Sequence, residues 1–113
     1  TVVYVLLGFD PNNYNVNAKV IEILGFDKED GPVFGKEIIR TEEHLLSRMI
    51  FRYSPLAVMM LRFDDTDKRI IFDHLSPSAP HYEGQYRYYG PDFSYDALEM
   101  KEGELILIEE IEY

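Results

Sequence analysis

Short runs rich in Val, Ile, Leu, Tyr and Phe alternate with clusters of Asp, Asn, Gly, Pro and Ser along the whole chain, and this punctuation constrains the fold more than any other feature. β-Branched and aromatic residues suit a pleated strand, whereas Gly, Pro, Asn and Asp suit the turns between strands. The first run, Thr1 to Phe9, stops at Asp10-Pro11-Asn12-Asn13. In the second, Lys19 to Phe26, Val20, Glu22 and Leu24 take one face while Ile21 and Ile23 take the other. Asp30-Gly31 followed by Pro32-Val33-Phe34-Gly35 signals a hairpin, with Lys36 to Arg40 continuing the returning strand. Arg48 to Tyr53 and Leu56 to Phe63 read as strands split by Ser54-Pro55, and the polar tip Asp64 to Lys68 precedes a strand from Arg69 to Leu75. Two prolines make Ser76-Pro77-Ser78-Ala79-Pro80 a loop. Gln85 to Tyr89 and Phe93 to Met100 flank a Gly90-Pro91-Asp92 turn, and Glu104 to Tyr113 follows a turn at Lys101-Glu102-Gly103. Connections this short force antiparallel pairing.

Thr41–Ser47 is the ambiguous stretch. Ile38, Leu45 and Met49 fall at helical offsets, so it reads either as one short helix or as a turn. The expected architecture is all-β or mostly β: one domain, an antiparallel meander of about seven or eight strands forming a barrel or a sandwich. Four apolar runs end in Phe-Asp, at Phe9-Asp10, Phe26-Asp27, Phe63-Asp64 and Phe72-Asp73. Each Phe is expected to pack inward while its Asp opens the turn through its own following backbone. The spacings are unequal, which excludes a propeller or solenoid.

A chain of 113 residues, 46% hydrophobic, can bury one core without staples. Its 21 Asp and Glu against 11 Lys and Arg give a net charge of −10, which disfavours nucleic acid and anionic lipid as partners, since both are bound through released counterions. Residues 83 to 113 hold nine of the acids and two of the bases. Any partner of that region is therefore expected to be neutral or basic, with salt-sensitive binding in the basic case. The absence of Cys excludes disulfides, thiol nucleophiles, thiolate zinc and iron–sulfur clusters. No apolar run approaches the roughly 20 residues of a membrane-spanning helix.

Several constellations invite chemistry. Asp10, Asn12, Asn13 and Asn15 offer oxygen ligands for calcium, but the stretch to Asn17 lacks the Gly and late bidentate carboxylate of a calcium loop, and a plain Asn-rich turn accounts for it. Asp64, Asp65 and Asp67 read as a solvated hairpin tip. His44, His74 and His81 with Asp73 are suitable metal ligands that no rigid spacing brings together. Ser47, Ser54, Ser76, Ser78 and Ser94 lack the context of an activated nucleophile. Asp73, Asp92 and Asp96 are candidate acids for polysaccharide hydrolysis. No cofactor or resident metal is expected.

The most distinctive stretch, His81 to Tyr95, holds five of the nine tyrosines: Tyr82, Tyr86, Tyr88, Tyr89 and Tyr95. A flat apolar ring with a polar rim suits stacking on a sugar, a peptide or a protein. The plainer alternative sets Tyr86 and Tyr88 on one face of an amphipathic strand, with Tyr89 and Tyr95 packed under loops. The ordered strings Tyr4-Val5-Leu6-Leu7-Gly8-Phe9-Asp10, Pro32-Val33-Phe34-Gly35, Ile71-Phe72-Asp73-His74-Leu75-Ser76-Pro77 and Tyr88-Tyr89-Gly90-Pro91-Asp92-Phe93-Ser94-Tyr95-Asp96 resemble a family of uncharacterised exported proteins of Bacteroidetes. The resemblance implies a periplasmic, envelope or secreted location, with Thr1 as a cut inside a longer chain and a signal peptide upstream. It brings no activity or catalytic residue. The expected function is a non-enzymatic accessory or interaction domain with the tyrosine-rich, acidic segment as its contact surface. A polysaccharide hydrolase and a calcium-stabilised structural module are the alternatives.

Overall fold

A computed structural model of the chain describes residues 2–11, 15–29 and 31–113. Their strands are β1 (Val2–Asp10), β2 (Asn17–Asp27), β3 (Gly31–Phe34), β4 (Ile39–Arg40), β5 (Leu45–Leu46), β6 (Arg48–Tyr53), β7 (Leu61–Asp64), β8 (Arg69–Pro77), β9 (Tyr89–Lys101) and β10 (Glu104–Ile111). In the four-stranded sheet β2 is central. It pairs with β1 along one side, and along the other its first half pairs with β6 and its second half with β3. The six-stranded sheet runs β5-β4-β10-β9-β8-β7. Neither sheet closes into a barrel, and their inner faces stack as a sandwich.

Alternation along β2 decides which face is buried. Ile21 and Ile23 point inward, as their spacing predicts, opposite Leu7 and Val5 of β1. They meet Ile39, Ile70, Phe72, Leu98 and Leu105 from the larger sheet, with Tyr53 and Met59 at the flank. The Phe51 and Phe72 rings lie 4.7 Å apart in this core. At its margin the Lys19 amine donates to the Met59 carbonyl at 2.6 Å, satisfying a cation on the inner face. The radius of gyration is 15.0 Å, against about 13 Å for a compact chain of this length. An overhang of the smaller sheet accounts for the difference, and it leaves the inner-face side chains Leu7, Phe9 and Val33 exposed, whereas Phe26 and Phe34 are exposed on the outer face of that sheet.

The meander holds from β7 through β10, but the expected count of seven or eight strands falls short, because three connections switch sheets. Residues 35–38 do not continue the strand before them. They carry the chain from β3 to β4, which lies parallel to β10. Thr41–Ser47 is a turn and a short strand rather than a helix: the Thr41 hydroxyl accepts the His44 N–H, and the Thr41 N–H donates to the His44 carbonyl. Ser47 is the corner at which β5 of one sheet becomes β6 of the other, its carbonyl accepting the Ile23 N–H. Residues 54–60 cross back irregularly to β7, so the strand expected from Leu56 begins only at Leu61.

Three further expectations are corrected. β8 extends through Pro77, which pairs with Tyr89 at the sheet's end. Tyr86–Tyr88 is a 3-10 turn and not a strand, so its tyrosines do not alternate across a face. Gly90-Pro91-Asp92 lies within β9 and is not a turn ahead of it. Tyr113 contacts Arg62 of β7 and Tyr95 of β9 and so spans β8. On the same side of the sheet Ile71 and Ala97 face away from the main core and are nonetheless fully buried.

Candidate functional site

Two interruptions of strand pairing meet at one place. Between Leu75↔Pro91 and Asp73↔Tyr95, the single residue His74 of β8 faces Asp92, Phe93 and Ser94 of β9. Between Ile108↔Ala97 and Ile111↔Tyr95, Asp96 faces both Glu109 and Glu110 of β10. Bulges re-aim side chains, and here they bring His74 and Asp96 together. His74 Nδ1 lies 2.7 Å from Asp96 Oδ2, and the Glu110 N–H donates to Asp96 Oδ1 at 3.1 Å. Asp96 shares its inward face with Phe72 and is buried, while the His74 ring is partly exposed. Met49, Phe51, Leu107 and Glu109 complete a shallow depression of about 210 Å³ around the pair.

The hydrogen bond to Asp96 raises the His74 pKa. Burial opposes this, and the charges of Asp96, Asp92 and Glu109 reinforce it. Burial also works against ionisation of Asp92, but hydrogen bonds from Ser94 and Ser76, with His74 close by, outweigh it and hold that carboxyl below its usual range. Ser76 Oγ donates to Asp92 Oδ2 at 2.7 Å, so this hydroxyl serves a carboxylate rather than the imidazole. Asp73 Oδ2 accepts the Met60 N–H at 2.7 Å. All three candidate acids thus accept hydrogen bonds from within the chain. His44 lies in the turn before β5 and His81 in a separate 3-10 turn, and among the described residues no three His, Asp or Glu side chains are grouped to hold a metal ion. Of the calcium candidates, Asp10 ends β1 and Asn15 is exposed; Asn12 and Asn13 lie outside the described residues.

The structure gathers four of the five tyrosines into a knot built on two 3-10 turns, Pro80–Tyr82 and Tyr86–Tyr88. The Tyr82 and Tyr88 rings stack with centroids 3.9 Å apart, Tyr86 tilts onto Tyr89 at 5.0 Å, and the Arg87 guanidinium covers Tyr88. Tyr89 Oη accepts the Gly84 N–H, which pins the intervening loop. Tyr82, Tyr88 and Tyr89 are therefore half-buried against one another, and Tyr86 is the exposed ring. Tyr95 is not part of the knot; it packs edge-on against Tyr113.

Exposure peaks beside the knot. Leu56 is 96% exposed, Phe93 89% and Val58 87%, the three highest values for large apolar side chains among the described residues. Segment 54–58 lies against the start of β9: the Ser54 N–H donates to the Tyr89 carbonyl, and Ala57 abuts Gly90. Phe93 holds φ = 69°, a left-handed conformation costly for an aromatic residue. Sequence reasoning missed all three side chains. Leu56 and Val58 read as strand core, and the one local signal for Phe93 was the turn-forming Gly90-Pro91-Asp92 just before it. No family model, curated protein or solved structure matches this chain.

Proposed function

We propose that this chain is a non-enzymatic interaction domain of an envelope or secreted protein, and that Leu56, Val58, Tyr86 and Phe93 form its contact patch. One observation carries the reading: among the described residues the three most exposed large apolar side chains are Leu56 and Val58, on the segment that abuts Tyr89 of the knot, and Phe93, further along the same strand as Tyr89 and held in a strained conformation. Backbone strain persists only where the surrounding structure over-determines it, and it concentrates at working surfaces. The knot is the rigid support and the patch is the contact. The envelope location rests on the resemblance of the Tyr88–Asp96 string, and the acidity of residues 83–113 favours a neutral or basic partner. No helix among the described residues is long and apolar enough to cross a membrane.

Panning a random-peptide library and a glycan array against the immobilised chain tests this. The expected binders lose affinity for the Leu56→Ser/Val58→Ser/Phe93→Ser variant while its melting temperature stays within about 2 °C of wild type, as for most surface changes. Binding that ignores the triple substitution refutes the patch. Glycan turnover abolished by Asp92→Asn would replace this reading with the hydrolase.

A further inference from the structure

Among the described residues, β1 pairs with β2 along one edge and with no strand along the other. Long exposed edges are normally blunted by Lys, Pro, a bulge or inward-pointing charge, because their free N–H and C=O groups recruit further strands. β1 has none of these. From Val2 to Phe9 it contains no charged residue and no proline, and its pairing with β2 is regular over all nine residues. Tyr4, Leu6, Leu7 and Phe9 are all exposed along it.

We infer that β1 pairs with β1 of a second copy, antiparallel about a twofold axis at Leu6. That register sets Leu6 against its symmetry mate, Tyr4 against Gly8, Val5 against Leu7 and Val3 against Phe9. Each pairing answers something visible in one copy. Gly8 has no left-handed φ, and a Cβ there would meet nothing within 4 Å, so its own chain does not require glycine. A Tyr4 ring from across the axis would lie over the space it leaves. On the inner face, Leu7 and Phe9 overhang the larger sheet, while Val3 and Val5 are half-buried against the core. The twofold lays each exposed pair beside the partner's half-buried pair, and does so twice.

Charge also selects this edge. The four strands of the smaller sheet carry Asp10, Glu22 and Asp27 against Lys19, Arg48 and Arg52, and so no net charge, although the whole chain is at −10. Two copies of an acidic chain approach with least repulsion where the local charge is zero.

Sedimentation of the intact chain tests the pairing. The expected mass rises from one chain to two over about 1–200 µM, the weak association suited to a small interface. Leu6→Lys and Leu6→Glu each place like charges on the axis, and each should weaken association more than about tenfold while the circular dichroism melt is retained. Mixing the two variants should restore the dimer as a heterodimer, which a mere folding defect would not do. A monomer throughout, a dimer indifferent to both substitutions, or a mixture that stays monomeric overturns the inference. Recruitment of an unrelated extended peptide to β1 without self-association would assign the edge to another partner and likewise overturn it.

Discussion

Asp96 is buried where two strand irregularities meet, and the use of both its oxygens makes that burial tolerable: one takes the imidazole of His74, the other the backbone N–H of Glu110. Because His74 titrates above its usual value in the folded chain, its contribution to stability is complete below about pH 6.5 and is lost as the pH rises through the raised value. Wild type should therefore melt above His74→Gln at pH 5.5, with the gap narrowing by pH 8.5; a gap that widens with pH would reverse the assignment. Asp92 has the opposite sign, its stabilisation being lost as the pH falls through its lowered value, so the two effects fall in different pH windows. Sequence could not pair His74 with Asp96, since their meeting depends on irregularities in two different strand pairs. The Phe-Asp strings divide along the same line. Asp27 and Asp64 do open their turns, accepting the N–H groups of Glu29 and Thr66, because that bond is local. Phe72 alone of the four phenylalanines is buried; Phe9 and Phe63 are exposed because the other sheet does not reach that far, and Phe26 because it alternates onto the outer face of β2.

At the scale of elements, the β9–β10 hairpin shows what turn chemistry can specify. Lys101 pairs with Glu104, and Glu102 and Gly103 both have positive φ, 51° and 82°, the arrangement of a type I′ turn. Asn accepts the first of those positions far better than Glu. Glu102→Asn should raise stability by about 0.5 kcal/mol in urea denaturation, and a loss would mean that Glu102 makes a compensating contact. This turn and the bounds of β6 were legible because both rest on nearest neighbours. The crossing at 54–60 was not, since an apolar run such as Leu56 to Phe63 looks alike whether it lies in one sheet or passes between two. Nor was the 3-10 knot: Tyr86 and Tyr88 alternate in sequence as strand residues would, and it is the turn's backbone hydrogen bonds and the ring contacts with Tyr82 and Tyr89 that set them otherwise.

For the molecule as a whole, the net charge of −10 sits outside the strands of the smaller sheet, so self-repulsion falls on the larger sheet and the loops. Screening should relieve it. Raising NaCl from about 20 to 300 mM is expected to raise the melting temperature by a few degrees, and a fall would show that ion pairs such as Arg69–Glu99 outweigh the repulsion. The parallel pairing of β4 with β10 has its own consequence for how the chain assembles. β10 is the last strand in sequence yet an interior strand of its sheet, held between β4 and β9. Until it is in place, the β4–β5 hairpin has no edge on which to dock, and Ile39 lacks the strand that its neighbour Ile38 hydrogen-bonds through Leu105. The β4–β10 contact is the most distant strand pairing among the described residues, the kind of loop closure that slows β-rich domains. A ribosome that has delivered residues through Lys101 holds a chain whose smaller sheet can already form while its larger sheet still waits for the final strand.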